Sequence, residues 1–197
     1  MSDISQARCP FGFDAPTASP DEHIAIAAAM PRALLPEMST APIEPSADGL
    51  PTGRCLCGVI SFRINKPVEK VFANHDEASR RWTGGVAMTV MVRATNMTFH
   101  GWGRAVQYAG WNRDQRHCFC RTCGSSLFVR HVRPEAINGM LSISIGAFDS
   151  LEGLTLAAET HVDLKPGFFS FAGDHRGITA NEIEAMYDPS GPPDSGR

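Results

Sequence analysis

Five cysteines fall in two short clusters. "GRCLCG" supplies Cys55 and Cys57, and "CFCRTCG" supplies Cys118, Cys120 and Cys123. Zinc takes four ligands in a tetrahedron, with thiolates about 2.3 Å from the metal. A Cys-x-x-Cys knuckle turning at Gly124 points two sulfurs at one place, and the Cys-x-Cys before Gly58 can do the same from another hairpin. Cys55, Cys57, Cys120 and Cys123 therefore form a candidate four-cysteine zinc site joining two distant hairpins. Such a site supplies about 10–16 kcal/mol of apparent binding energy, which becomes folding energy. Burial as small apolar side chains does not account for two close pairs, each beside a glycine. Cys118 projects to the same face as Cys120 if the segment is extended, as a thiol near the metal, a nucleophile or a packing residue. Cys9 is isolated and unassigned.

A second cluster is "NHDEASRRWTGG", Asn74–Gly85, between two stretches that read as strands. His75, Asp76 and Glu77 are acid–base candidates, because an imidazole beside a carboxylate can be tuned to move protons near neutral pH. Neighbours on an extended segment point opposite ways, so adjacency does not make them cooperate. Asp76 with Ser79 is an equal candidate pair. Arg80 and Arg81 can hold a carboxylate or phosphate by a bidentate contact, or be surface charges. Trp82 suits a pocket wall or the core. Gly84 and Gly85 suit a turn or a close backbone approach.

These residues need elements to hold them. "VISFRI" (59–64), "VEKVFA" (68–73), "VAMTVMVR" (86–93), "MTFH" (97–100), "RAVQYA" (104–109), "SLFVRH" (126–131) and "LSISIGAF" (141–148) read as strands separated by Gly, Asn and Pro. Ile60, Phe62 and Ile64 share one face, as do Leu141, Ile143 and Ile145. Short, closely spaced strands predict a mainly β domain of packed antiparallel sheets. One helix closes it, "TANEIEAMY", with Thr179 and Glu182 as a capping box. Residues 188–197 read as a disordered tail. Residues 1–50 hold half of the 14 prolines and read as an N-terminal arm with one short helix, "DEHIAIAAAM" (21–30), capped by Ser19 and Glu22. The arm can wrap its own domain or a neighbouring subunit, in the second case making a homo-oligomer. Residues 51–187 form the zinc-binding β domain.

Composition narrows the function classes. The 197 residues are 43% hydrophobic and 20% charged, with a net charge of −3, ordinary for a globular protein. Scattered arginines offer no basic stripe for nucleic acid. No window approaches the roughly 18 apolar residues of a membrane span, and the N-terminus lacks a secretory pattern. A cytoplasmic location with reduced cysteines is the expectation.

"GRCLCGVISFRI", "RRWTGGVAMTV", "FCRTCGSSLF" and "HVDLKPGFFSFAGDH", in that order over roughly residues 52–187, resemble the glutathione-dependent formaldehyde-activating enzyme (Gfa) family, which also includes the centromere protein V domain. The resemblance implies a compact fold of packed β sheets with two zinc sites. The structural one matches Cys55, Cys57, Cys120 and Cys123. It implies a carbon–sulfur lyase whose named activity is to bind glutathione and promote its S-hydroxymethyl adduct. The family's catalytic zinc sits on a Cys-His-Cys-x-x-Cys segment just before "RRWTGG". Here Asn74, Asp76 and Ser79 replace the cysteines, and only His75 stays. Amide, hydroxyl and carboxylate are harder donors than thiolate. The segment is then metal-free, a remodelled site using His75, Asp76 and Glu77 or Cys118 with zinc, iron or manganese, or a weak hydrated-ion site. Within the C-terminal motif, Lys165 can face the site, while Asp163 and Asp174 brace the sheet. His117, His131, His161 and His175 read as structural histidines. The implied ligand is a small-molecule thiol or thiol adduct. The alternative is a non-catalytic binding module that keeps the fold and only the structural zinc.

Overall fold

A computed structural model describes the chain over residues 32–45, 47–109 and 114–187. The expected helix at 21–30, Cys9 and the tail at 188–197 lie outside the described residues. Among the described residues, twelve strands form two sheets. The smaller one contains β1 (Glu37–Met38), β2 (Thr52–Arg54), β3 (Ser61–Ile64) and β6 (Met97–His100), in the order β1-β6-β3-β2. The larger contains β4 (Lys70–Asn74), β5 (Ala87–Arg93), β7 (Ala105–Tyr108), β8 (Gln115–Cys120), β9 (Ser126–His131), β10 (Met140–Ser144), β11 (Thr155–Thr160) and β12 (Arg176–Ile178). Its order is β12-β11-β4-β5-β10-β9-β8-β7.

The alternating strands pack as their patterns require. Ile60, Phe62 and Ile64 are fully buried, and so are Leu141 and Ile143. Ile145 instead enters a single-turn helix, so β10 stops at Ser144. Between the sheets, Phe99 meets Phe62, Trp102 and Phe128 with ring centroids 5.0–5.7 Å apart. Gly53 lets the two sheets touch. A Cβ there would lie 2.2 Å from the Ala147 carbonyl oxygen and 2.4 Å from the Phe62 ring, and Gly53 bridges Phe148. The contact is fastened beside it by Arg54 and Thr52, which both donate to the Asp149 carboxylate.

Two expectations are corrected. The sheets are mixed rather than antiparallel: β1 runs parallel to β6, and β11 runs parallel to both β4 and β12. Alternation tells which face of a strand is buried but carries no direction, and parallel partners are joined only by long crossovers. Within the β domain the C-terminal helix is also not alone. It spans Ala180–Tyr187, and the Asn74–Gly85 stretch holds another, α1, at Glu77–Thr83. The C-terminal helix, α2, has the expected box: the Thr179 backbone N–H donates to Glu182 Oε2 at 2.7 Å.

The described part of the arm lies on its own domain. Leu34 and Leu35 pack against the core, β1 edges the small sheet, and the Ile43 N–H donates to the Ser61 hydroxyl at 2.8 Å. No helix among the described residues is long and apolar enough to cross a membrane, which leaves β-barrel spanning unaddressed.

Candidate functional site

Two glycine-terminated turns build the cysteine cluster. Gly58 at φ 75° donates its N–H to the Cys55 carbonyl, and Gly124 at φ 74° donates to the Cys120 carbonyl, each at 2.9 Å. Both positions need the left-handed backbone that glycine adopts without a Cβ penalty. The Leu56 N–H donates to Ser125 Oγ at 3.0 Å and pins one turn to the other. The sulfurs converge: Cys55 and Cys57 lie 3.5 Å apart, Cys57 and Cys120 lie 3.8 Å apart, and all four fall within 4.8 Å of one another. Thiolates about 2.3 Å from a tetrahedral metal lie about 3.8 Å from each other, so the four residues fit zinc. Cys55 and Cys120 are buried, whereas Cys57 is exposed. The Ser125 hydroxyl and backbone N–H hold Cys123 down to about 5. The Val59 backbone favours the Cys57 thiolate, but desolvation and the other three thiols outweigh it and push Cys57 up to about 12. One thiolate thus forms readily and the next against its neighbours, an imbalance that a divalent cation relieves.

Cys118 stands apart. The β8 ladder shifts register between Cys118 and Phe119, and Cys118 packs into the apolar core. Burial raises its thiol well above the ordinary range, against the pull of Arg130 and Arg116. Among the described residues, the four-cysteine group is the one set of three or more potential His, Cys, Asp or Glu ligands gathered at metal-binding distance.

The Asn74–Ser79 segment is the start of α1. Asp76 is the N-cap, and its Oδ1 accepts the Ser79 N–H at 2.9 Å. Asn74 Oδ1 accepts the Asp76 N–H at 3.0 Å, and Asn74 Nδ2 donates to Ser79 Oγ at 3.3 Å. The three positions where the resemblance places thiolates therefore do converge, but on one another. Capping satisfies N–H groups that a helix leaves open at its first turn. The helix ends at Gly84, left-handed at φ 77°. Asp76-x-x-Ser79 and Gly84 are start and stop signals legible in the sequence; seven residues is short enough to pass for a polar loop.

His75 points away from this cap, as alternation on an extended segment requires. It is fully buried, with Nε2 2.8 Å from Glu159 Oε2. Glu159, itself 5% exposed, also accepts from Lys165 Nζ, at 2.6 Å on Oε2 and 2.9 Å on Oε1, and from His175 Nε2 at 2.6 Å. Burial alone would raise this carboxyl, but hydrogen bonds from Lys165, His175 and His75 outweigh it and hold Glu159 down to about 2. Phe169 and Phe171 cover the group. Their rings lie 5.9 and 6.3 Å from His75, and 5.6 and 5.5 Å from the Lys165 ammonium.

A cavity of about 330 Å³ lies beside His75. Glu77, Arg80 and Arg81 line it from α1, and Pro166, Phe168 and Phe169 from the segment after β11. Arg81 pairs with Glu77 at 2.7 Å. Arg80 donates through Nε to the His75 carbonyl at 3.2 Å, and among the described residues it makes no ion pair.

Trp82 is not part of this cavity's lining. It donates to Ser126 Oγ at 2.9 Å and packs on His117, Tyr108 and Phe119. Burial pushes His117 down to about 4, against the pull of Asp76, and also pushes His131 to about 4. Lys165 reaches the region, but through Glu159. The residue missed by sequence reasoning is Glu159. "TLAAET" was not among the expected strands, and its carboxylate became significant only once β11 paired with β4.

A family model described as glutathione-dependent formaldehyde-activating enzyme matches residues 50–164. That span includes the four cysteines, His75 and Glu159, and stops just short of Lys165. An uncharacterized lyase of Schizosaccharomyces pombe is 25% identical over 134 residues, covering 66% of this chain and 92% of that protein. A crystal structure of a Rhodobacter sphaeroides protein aligns with 19% identity and a TM-score of 0.43, over 64% of this chain and 98% of that one.

Proposed function

The chain belongs to the glutathione-dependent formaldehyde-activating enzyme family, and from that premise we propose that it is a zinc-containing carbon–sulfur lyase acting on a thiol adduct. Cys55, Cys57, Cys120 and Cys123 would hold the zinc, whose chemistry here is structural, tying β2–β3 to β8–β9. A cluster of four free thiols suits a reducing compartment, and a cytoplasmic location is part of the proposal.

The observation that carries the catalytic reading is the cavity beside His75, with an arginine and an aromatic wall. A guanidinium that makes no ion pair among the described residues can take a carboxylate on two parallel N–H bonds, and glutathione offers carboxylates. Arg80 is the anchor in this reading, with Arg81 secondary because Glu77 already engages it. In the lyase direction, the hydroxyl proton of an S-hydroxymethyl adduct moves to a base, and the electron pair left on oxygen forms the carbonyl as the carbon–sulfur bond breaks. The departing thiolate takes the proton back. His75 is the base in this reading. Asp76 and Ser79, the other candidates from the sequence, already use their oxygens within the helix cap.

Thiol dependence tests the reading. Purified zinc-loaded protein is expected to consume formaldehyde faster with glutathione than without, with KM for the adduct raised about tenfold or more in Arg80→Met. If glutathione neither binds nor alters formaldehyde consumption, the lyase reading fails in this form. One observation favours the second reading, a binding module: Asn74, Asp76 and Ser79 satisfy one another, and His75 is wholly covered. Turnover of any thiol adduct that disappears in His75→Ala rules the module out.

A further inference from the structure

The buried carboxylate is the least expected group in the chain. It sits where three separate segments meet. Parallel pairing sets Glu159 opposite Ala73 and Thr160 opposite Asn74, and the His75 N–H donates to the Thr160 carbonyl at 3.1 Å. That registry brings the next side chain, His75, onto Glu159. Lys165 and His175 both arrive from the chain between β11 and β12, His175 immediately before β12.

We propose that Glu159 is a positioning residue, which locks His75 as the Nε2–H tautomer and leaves Nδ1 as its basic nitrogen. An ionised carboxylate only accepts hydrogen bonds. Lys165 bridges both of its oxygens, so the imidazole nitrogens that touch it must donate. A neutral imidazole that donates through Nε2 has its lone pair on Nδ1. His75 Nδ1 has no hydrogen-bond partner among the described residues, and neither has His175 Nδ1. A proton on either would be a buried donor with no acceptor, an arrangement folded proteins avoid. The Phe169 and Phe171 rings hold the imidazole in place. The same logic operates wherever a buried carboxylate orients a histidine base and steadies the imidazolium that forms on proton uptake.

The consequence for turnover rests on the lyase reading above; the tautomer does not. The test is therefore spectroscopic first. Long-range ¹⁵N–¹H spectra of full-length, zinc-loaded protein at mildly alkaline pH are expected to show His75 with Nε2 protonated and Nδ1 bare. Glu159→Gln, whose amide can donate as well as accept, is expected to mix the tautomers. A wild-type spectrum with the proton on Nδ1, or an unchanged pattern in Glu159→Gln, overturns the proposal. Should Glu159→Gln fail to fold, the wild-type spectrum alone decides. Where the wild type turns over a thiol adduct, Glu159→Gln is expected to lower kcat by about two orders of magnitude with little change in KM. An unchanged kcat would deny Glu159 its role in catalysis. A locked tautomer in a protein with no turnover leaves Glu159 as assigned and removes only the lyase reading.

Discussion

The four-cysteine cluster and the Asn74–Ser79 segment each bring several polar side chains to one point, and they solve the problem of holding that point differently. In the first, four sulfurs lie within 4.8 Å of one another, and no internal arrangement of thiols satisfies them as well as a metal would. In the second, Asn74, Asp76 and Ser79 hold one another and two backbone N–H groups at 2.9–3.3 Å. The difference teaches that one turn is arranged so that a ligand from outside the chain could complete it, whereas the other completes itself. It also shows where charge has gone: behind the helix cap stands a buried anion shared by one lysine and two histidines.

The contrast breaks most visibly at Cys120. Removing that ligand would forfeit the proposed zinc, worth about 10–16 kcal/mol of folding energy, as much as a typical domain's whole stability. Cys120→Ser is therefore expected to unfold or lose its zinc, read by elemental analysis beside circular dichroism. A stable, zinc-replete Cys120→Ser chain would defeat the assignment. The same analysis of the wild type should count one zinc per chain; a second metal would mean that the Asn74–Ser79 segment had been rebuilt as a site.

The next largest effect lies at Glu159. Glu159→Ala strands the Lys165 ammonium without its anion, and breaking a buried pair on one side costs about 3–5 kcal/mol. Chemical denaturation should show that loss with zinc content unchanged. If zinc leaves with it, the two regions are not independent.

Acid sharpens the picture further. The Glu159 carboxyl is held near 2 in the fold, against an ordinary 4.5, so the unfolded chain takes up that proton first. Its contribution to stability is whole above about 4.5 and drains away as pH falls toward 2. His117 and His131 are pushed down to about 4 from 6.5. The unfolded chain again binds protons first, and stability starts to fall below 6.5. Melting temperature measured against pH should decline in those two stages, with the upper one smaller in His131→Gln.

The smallest effect is at the cap. Asp76→Ala removes one N-cap bond and should cost about 1 kcal/mol, leaving the zinc in place. A loss of several kcal/mol would mean that Asp76 holds more than the helix.

The sequence by itself determined what neighbouring residues encode. Cys-x-Cys and Cys-x-x-Cys, each closed by a glycine, specify two turns that aim sulfurs inward, and Thr179 with Glu182 specifies a helix start. The strands Met97–His100 and Ser126–His131 fall where their alternation placed them. Only the tertiary structure decided what depends on which strands become neighbours. β11 lies parallel to β4 although α1 and six strands, five of them in the same sheet, separate them along the chain, and that pairing alone carries Glu159 to His75. Trp82 turned toward His117 and Tyr108 for the same reason: α1 packs against β5, and its Trp82 side chain reaches β8 and β9. Turn chemistry is local, because a few dihedrals and adjacent donors set it. A buried ion network is not, because each member is stable only when the others, from distant stretches of chain, have already packed around it.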